Sequence, residues 1–188
     1  VELTGTTGLV MHNVQLADKT NGFAKEIAKL TDKGSRHRTE ADDAEIERLE
    51  FLGGLYHDAD MGVHVPTANV VKCFERGATL TRQGATLIRA VAVVSDRVPL
   101  VYDGPREPLK LWAAPEFHFR KSVGIQRGKV MRMRPIFRRW SLTVELDLLV
   151  DVLDPDDFVR IAEKAGRSEG LCDARKLGYG RFTVVVAH

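Results

Sequence analysis

Apolar and polar residues alternate most clearly between Trp140 and Val150, where Leu142, Val144, Leu146 and Leu148 interleave with Thr143, Glu145 and Asp147. A period of two sends one set to a core and the other to solvent, so this stretch predicts a half-buried strand. The clearest helix comes next. Asp154 stands as its N-cap, Pro155 takes the first helical position, and Asp156 and Asp157 suit the positive end of the helix dipole. Phe158, Ile161, Ala162 and Ala165 form its apolar stripe, and Gly166 is the expected stop. Arg181 to Ala187, with Val184-Val185-Val186, then predicts a last strand.

Upstream, Val1 to Val10 predicts a first strand. Phe23, Ile27 and Leu30 lie on one face of a short helix with Asn21 as N-cap, and Ile46, Leu49 and Leu52 stripe a second helix capped by Thr39. Leu55-Tyr56-His57 and Val63-His64-Val65 predict a small hairpin. A third helix, with Thr67 as N-cap, buries Val70, Val71, Phe74 and Ala78. Thr86 to Val94 predicts a central strand over Ile88 to Val94, with a helical lead-in as the alternative for its start; Val98 to Tyr102 predicts another strand, and Gly104 to Phe119 an irregular segment. Val123 to Ile125 and Lys129 to Met133 predict two strands with Gln126-Arg127-Gly128 as the turn.

Taking the strongest elements in order gives strand, helix, strand, strand, helix, strand. That β-α-β-β-α-β sequence predicts an α+β, ferredoxin-like core in a single domain spanning residues 1–188, with insertions at about 13–66 and 96–139. The last helix and last strand are joined by Gly170-Leu171-Cys172-Asp173-Ala174-Arg175-Lys176-Leu177-Gly178-Tyr179-Gly180-Arg181-Phe182. Glycines there permit sharp turns or close backbone approach, and the basic residues supply charge for phosphate.

Composition narrows the classes. At 188 residues, with 44% hydrophobic and 29% charged residues, the chain can bury a real core. No apolar run approaches transmembrane length, and Val1-Glu2-Leu3-Thr4 lacks the layout of a signal peptide. Cys73 and Cys172 form neither a metal motif nor a disulfide framework, so a reduced cytoplasmic setting is expected. Nucleotide-binding and hydrolase signatures such as the P-loop, G-x-S-x-G and H-E-x-x-H are missing.

Net charge is only +2, so a basic surface has to be local. It is found at residues 117–144, where 28 residues contain no Asp or Glu but hold Arg120, Lys121, Arg127, Lys129, Arg132, Arg134, Arg138 and Arg139. Such a run suits phosphates, and Phe117, Phe119, Phe137 and Trp140 suit stacking on unpaired bases. The alternative for the same residues is a solvated hairpin over an aromatic core.

Three places resemble the RAMP superfamily, the ferredoxin-like RNA-binding proteins of CRISPR systems. They are the Gly-rich stretch Gly170 to Phe182, the helix opening Val65-Pro66-Thr67-Ala68-Asn69-Val70-Val71-Lys72, and the strand end Leu9-Val10-Met11-His12-Asn13. The member type most similar is the backbone subunit that polymerises along guide RNA, with phage and mobile-element relatives beside it. The resemblance implies a non-catalytic protein that binds single-stranded nucleic acid, RNA before DNA, as repeated subunits or within a larger ribonucleoprotein. Arg175, Lys176, Arg181 and Lys72 would join the cations of 117–139 in contacting it. The acidic helix Thr39 to Phe51 would meet a neighbour's basic face. No cofactor, metal or membrane partner is expected.

Two rivals stay open. A metal-independent endoribonuclease of the same superfamily would work through His12 or His37. A phage or mobile-element structural protein would use the basic run for packing. His57, His64, Asp58 and Asp60 fit no recognised metal spacing.

Overall fold

A computed structural model of the chain describes residues 1–34, 37–125 and 128–186; of Ile125, Gly128 and Lys129 the backbone alone is described. The elements run β1 (Glu2–Gly5), β2 (Leu9–Val10), α1 (Gly22–Thr31), α2 (Glu40–Gly54), β3 (His57–Asp58), β4 (Gly62–Pro66), α3 (Thr67–Thr79), α4 (Gly84–Ala90), β5 (Val91–Val93) and β6 (Arg97–Pro99). They continue as α5 (Pro108–Trp112), β7 (His118–Ile125), β8 (Gly128–Phe137), β9 (Ser141–Thr143), β10 (Leu146–Leu148), α6 (Pro155–Ser168) and β11 (Phe182–Val185). The class is α+β, with small antiparallel sheets. The chain divides into two units: residues 1–9, 58–103 and 137–188 form the first, and 10–57 with 104–136 the second. Most of both stretches expected as insertions thus lies in the second unit. Their outer parts stay in the first, because Val65 of β4 pairs antiparallel with Val98 of β6.

In the first unit β1 is paired on both sides, with β11 (Leu3 opposite Val184) and with β9 (Leu3 opposite Leu142). β10 pairs with β5, Leu148 opposite Val91. Val144 and Glu145 bridge β9 and β10. The Val144 N–H donates to the Val1 carbonyl at 2.8 Å, and the Val94 N–H to the Glu145 carbonyl at 3.4 Å. The alternation read from Trp140 onward therefore holds, with Leu142 and Val144 buried and Thr143, Glu145 and Asp147 exposed, but the strand breaks at those two residues and changes partner.

Helices α3 and α6 pack on each other, α6 packs on β11, and Phe74 of α3 meets the buried Phe182. Phe74 meets Phe158 edge-on at 5.7 Å, and the Cys73 thiol lies 3.9 Å from the Ala165 carbonyl. A glycine on each helix makes room, Gly77 of α3 for α6 and Gly166 of α6 for β11. A Cβ on Gly77 would lie 2.6 Å from that of Ala165, and one on Gly166 would lie 2.3 Å from the Phe182 carbonyl oxygen. Gly166 was expected to end α6. Instead the helix continues to Ser168, and Gly170, at φ +74°, ends it, so Gly166 provides room and not a stop.

Two further expectations are corrected. The helical lead-in is α4, which takes in residues 88–90 of the expected strand, with Leu87 and Ala90 buried three apart and Ile88 and Arg89 exposed between them. Only Val91–Val93 is strand. Thr67 does not cap α3: Pro66 takes that position, and Thr67 is the first helical residue, 1% exposed, with its N–H on the Asp96 carbonyl at 2.9 Å.

The second unit packs α2 and α5 around Phe51, whose ring lies 5.4 Å from Trp112 and 5.1 Å from His118. Asn21 caps α1 and Thr39 caps α2 through a reciprocal capping box with Asp42. Leu111 and Phe117 bury the segment expected to be irregular, which contains the short helix α5. The two strands predicted within 123–133 are the tips of a longer hairpin, β7 against β8; its turn at Gln126 and Arg127 lies outside the described residues.

Candidate nucleic-acid interface

The β7–β8 register sorts the basic residues onto faces. Phe119 is opposite Arg134, Lys121 opposite Arg132, and Val123 opposite Val130. Directly opposed residues share a face, so Lys121, Arg132 and Arg134 stand together on one side of the hairpin. The other side carries Arg120 opposite Met133 and Ser122 opposite Met131, with Met133 buried. Like charges placed directly across a ladder repel, and Lys121 facing Arg132 is such a pair.

Acidic α2 supplies counter-charge. The Glu50 side chain is 8% exposed, pairs with the Arg132 guanidinium, and also accepts the Met133 N–H at 2.9 Å. One carboxylate thus holds an arginine in place and satisfies a backbone donor of β8. Glu47 pairs with Arg120 at 2.6 Å, Asp42 with Lys33 at 2.7 Å and Asp43 with Arg38 at 2.5 Å. The Lys33 ammonium, followed by the Thr39 N–H, lowers the Asp42 carboxyl to about 2. The carboxylates of α2 expected to meet a neighbouring copy are therefore engaged within their own unit.

Beside this face lies a cavity of about 450 Å³. It is lined by Leu16, Ala17, Ile27, Val123 and Met133 together with His12, Glu50, Arg132 and Arg134. His12 thereby lines the same cavity as two of the expected phosphate-binding arginines, an association that its distance along the chain concealed. His37 is exposed in the connection between α1 and α2.

The remaining expected cations are distributed as follows. Arg127 lies outside the described residues, as does the Lys129 side chain. Arg138 and Arg139 are exposed and belong to the first unit. Lys72 is exposed on α3 and paired with Glu75 at 2.5 Å. Of the aromatics expected to stack on bases, Phe117, Phe137 and Trp140 are buried. The Trp140 Nε1 donates to the Thr7 carbonyl at 2.8 Å, and its ring fills the place a Gly5 side chain would take. They are core residues; Phe119 is half-buried.

The Gly-rich stretch is a compact loop in the first unit. Gly170, Cys172, Ala174, Gly178 and Gly180 all have positive φ, between 55° and 86°. Repeated left-handed residues fold the chain back, so that Leu171 N–H donates to the Gly180 carbonyl at 2.9 Å and Gly180 N–H to the Gly8 carbonyl at 2.8 Å. The loop touches the first turn of α3, where the Asn69 amide lies 4.0 Å from the Cys172 sulfur. Lys176 is exposed; Arg175 and Arg181 are half-buried, with Arg181 Nη2 donating to the Arg175 carbonyl at 3.4 Å. Burial pushes the Cys73 thiol up to about 12, which leaves it protonated and unreactive at neutral pH.

Asp58 accepts the N–H groups of Asp60 and Met61 and pairs with Arg97 at 2.8 Å, so it serves the turn before β4. Among the described residues no group of three His, Cys, Asp or Glu side chains is placed to hold a metal ion, and no helix is long and apolar enough to cross a membrane. Compared with protein-family models, curated proteins and solved structures, the chain matches none.

Proposed function

We propose that the chain binds single-stranded nucleic acid, RNA before DNA, and does not cleave it. The observation that carries this reading is the face of β7 and β8 on which Lys121, Arg132 and Arg134 adjoin. Cations adjoining on one ladder draw phosphates, and the release of condensed counterions drives that exchange. Phe119 and Val123 on the same face give bases an apolar surface. In the first unit, Lys176 on the Gly-rich loop and the exposed Arg138 and Arg139 are further phosphate contacts.

The finer reading of the first unit is a ferredoxin-like core of RAMP type. Its support is lateral strand order: counting β1, β5, β9 with β10, and β11 as first to fourth, the order is fourth, first, third, second, with α3 and α6 as the crossing helices. The positive-φ loop between α6 and β11 adds support, standing where that superfamily carries its Gly-rich signature. Repeated subunits along one strand are the assembly this reading proposes, as in a CRISPR effector backbone or a mobile-element relative.

The test is a labelled single strand titrated with protein, against Lys121→Glu and Lys176→Glu, both exposed and one in each unit. Each reversal weakens binding by about tenfold, the worth of a lost charge-assisted contact. Affinities unchanged in both variants reject the assignment. One observation favours the endoribonuclease as a second reading: His12 shares its cavity with Arg132 and Arg134. Strand scission in EDTA that disappears in His12→Ala selects it.

A further inference from the structure

We infer that the open groove between α6 and the β10–β5 ribbon of the first unit docks a basic amphipathic helix of a protein partner, its apolar stripe on the groove floor and its cations beside the groove's carboxylates. The inference goes beyond the nucleic-acid reading and does not depend on it, since Lys121, Arg132 and Arg134 lie in the other unit.

The chain holds a counterpart to its basic run. Residues 140–159 contain Glu145, Asp147, Asp151, Asp154, Asp156 and Asp157 and no Lys, Arg or His. The fold makes a groove of that stretch. β10 and β5 pair so that Leu146 and Leu148 share a face with Val91 and Val93. Leu146, Leu148 and Val91 line the groove, and Pro155, Phe158 and Val159 line it from the first turns of α6. Its volume is about 600 Å³, and every lining residue belongs to the first unit. The apolar surface continues outward. Val93, Val94, Leu149, Val150 and Val152, on the ribbon and in the segments that leave it, are each more than two-fifths exposed. Scattered exposed aliphatics are ordinary, but a group of them beside an apolar groove marks an interaction surface.

The charge of the groove selects its occupant. Glu145, Asp147 and Asp156 line it, all three are exposed, and none has an ion-pair partner among the described residues. Asp147 stands on the other face of the ribbon, opposite Ala92, and adds its charge from the side. Arg160, the first cation of α6, is paired with Asp157. The Val1 amino group, the one cation of the lining, donates to the Val144 carbonyl at 2.8 Å. Such a surface repels a nucleic-acid strand, and a second copy set groove to groove would bring like charges together. An added strand would use the edge of the ribbon, whereas Leu146, Leu148 and Val91 belong to its face. A helix with an apolar stripe flanked by lysines or arginines meets both the floor and the carboxylates.

Fluorescence anisotropy of a labelled helical peptide of leucine and lysine, titrated with the full chain at about 150 mM salt, tests this. In one control peptide glutamate replaces lysine, and in another serine replaces leucine. Val94→Lys and Glu145→Lys alter exposed residues of the groove. Val101→Lys and Glu163→Lys make the same changes at exposed residues of the same unit outside its lining. The expected result is that the leucine–lysine peptide binds and each control peptide binds at least about tenfold more weakly. The groove variants weaken it by about tenfold, and the outside variants by less than about twofold. No binding of the leucine–lysine peptide overturns the inference. So does equal binding of the serine–lysine peptide, or equal weakening by the groove and outside variants, because charge at large then explains the result. Sedimentation of the chain alone decides the remaining case: self-association that Val94→Lys abolishes gives the groove to a second copy and overturns the partner helix. The labelled-strand titration with Lys121→Glu and Lys176→Glu reads the nucleic-acid assignment separately, so either can fail while the other stands.

Discussion

Glu50 shows how much one side chain can carry. It lies in a helix whose composition marks it as a solvated acidic face, yet it is buried and bonded to both Arg132 and the β8 backbone. Removing it leaves a guanidinium and an N–H without their partner, so Glu50→Ala costs about 3 kcal/mol in a denaturant titration, the low end for breaking a buried pair because Arg132 is a third exposed. A loss below about 0.5 kcal/mol would mean that the pair is a surface contact. Asp42 gives a prediction in pH. Its folded carboxyl is lowered to about 2, chiefly by Lys33. Because the folded value lies below the unfolded one, its stabilising contribution is complete above about pH 4 and is lost as pH falls towards 2. Asp42→Asn abolishes that part of the acid transition. Coincident acid titrations of both proteins, followed by helical circular dichroism, would contradict the assignment. Neither residue's partner was legible in the sequence, since Lys33 is nine positions from Asp42 and Arg132 eighty-two from Glu50.

At the scale of elements, legibility followed the source of the signal. Helices α1, α2 and α6 carry local caps, at Asn21, Thr39 and Asp154, and their starts were readable because a cap acts within three residues. Residues 88–90 were misread as strand because a short apolar run suits a strand and a buried helix alike, and tertiary packing of Leu87 and Ala90 decides between them, whereas Val91–Val93 is the strand expected. The Gly-rich loop was recognisable as a turn, while the division of labour among its glycines was not. Gly180 has φ +73°, and a Cβ there would lie 2.2 Å from the Leu171 carbonyl oxygen. Gly180→Ala therefore meets both backbone strain and a clash with main chain, and loses about 2 kcal/mol or more. Gly178 has a similar φ but open space around it, so Gly178→Ala loses less. Equal midpoints for the two variants in chemical denaturation would count against this account of the loop.

Across the whole molecule, a net charge of +2 conceals strong local imbalance. The carboxylate-free run was visible in the sequence, and so was its suitability for phosphate. Its arrangement was not, because strand period alone could not tell which cations share a face with which across the hairpin. The register supplies that: Lys121, Arg132 and Arg134 together, Arg120 apart with Glu47. Burial withdraws Phe117, Phe137 and Trp140 from base stacking, as the alternative of an aromatic core had allowed. The α+β class and the order of the main helices followed from periodicity, whereas the assembly of residues 10–57 and 104–136 into a separate unit depends on contacts far apart in the chain.

Salt dependence tests the central claim most directly. Three phosphates neutralised by Lys121, Arg132 and Arg134, at about 0.7 each for a single strand, predict that log K falls against log salt with a slope of about −2, and more steeply if the cations of the first unit also engage. Binding of a labelled single strand measured between about 20 and 200 mM salt gives that slope. A straight descent at −2 or steeper, made shallower by Lys121→Glu, is the predicted result. No binding at the lowest salt, or an affinity that does not change with salt, would contradict it.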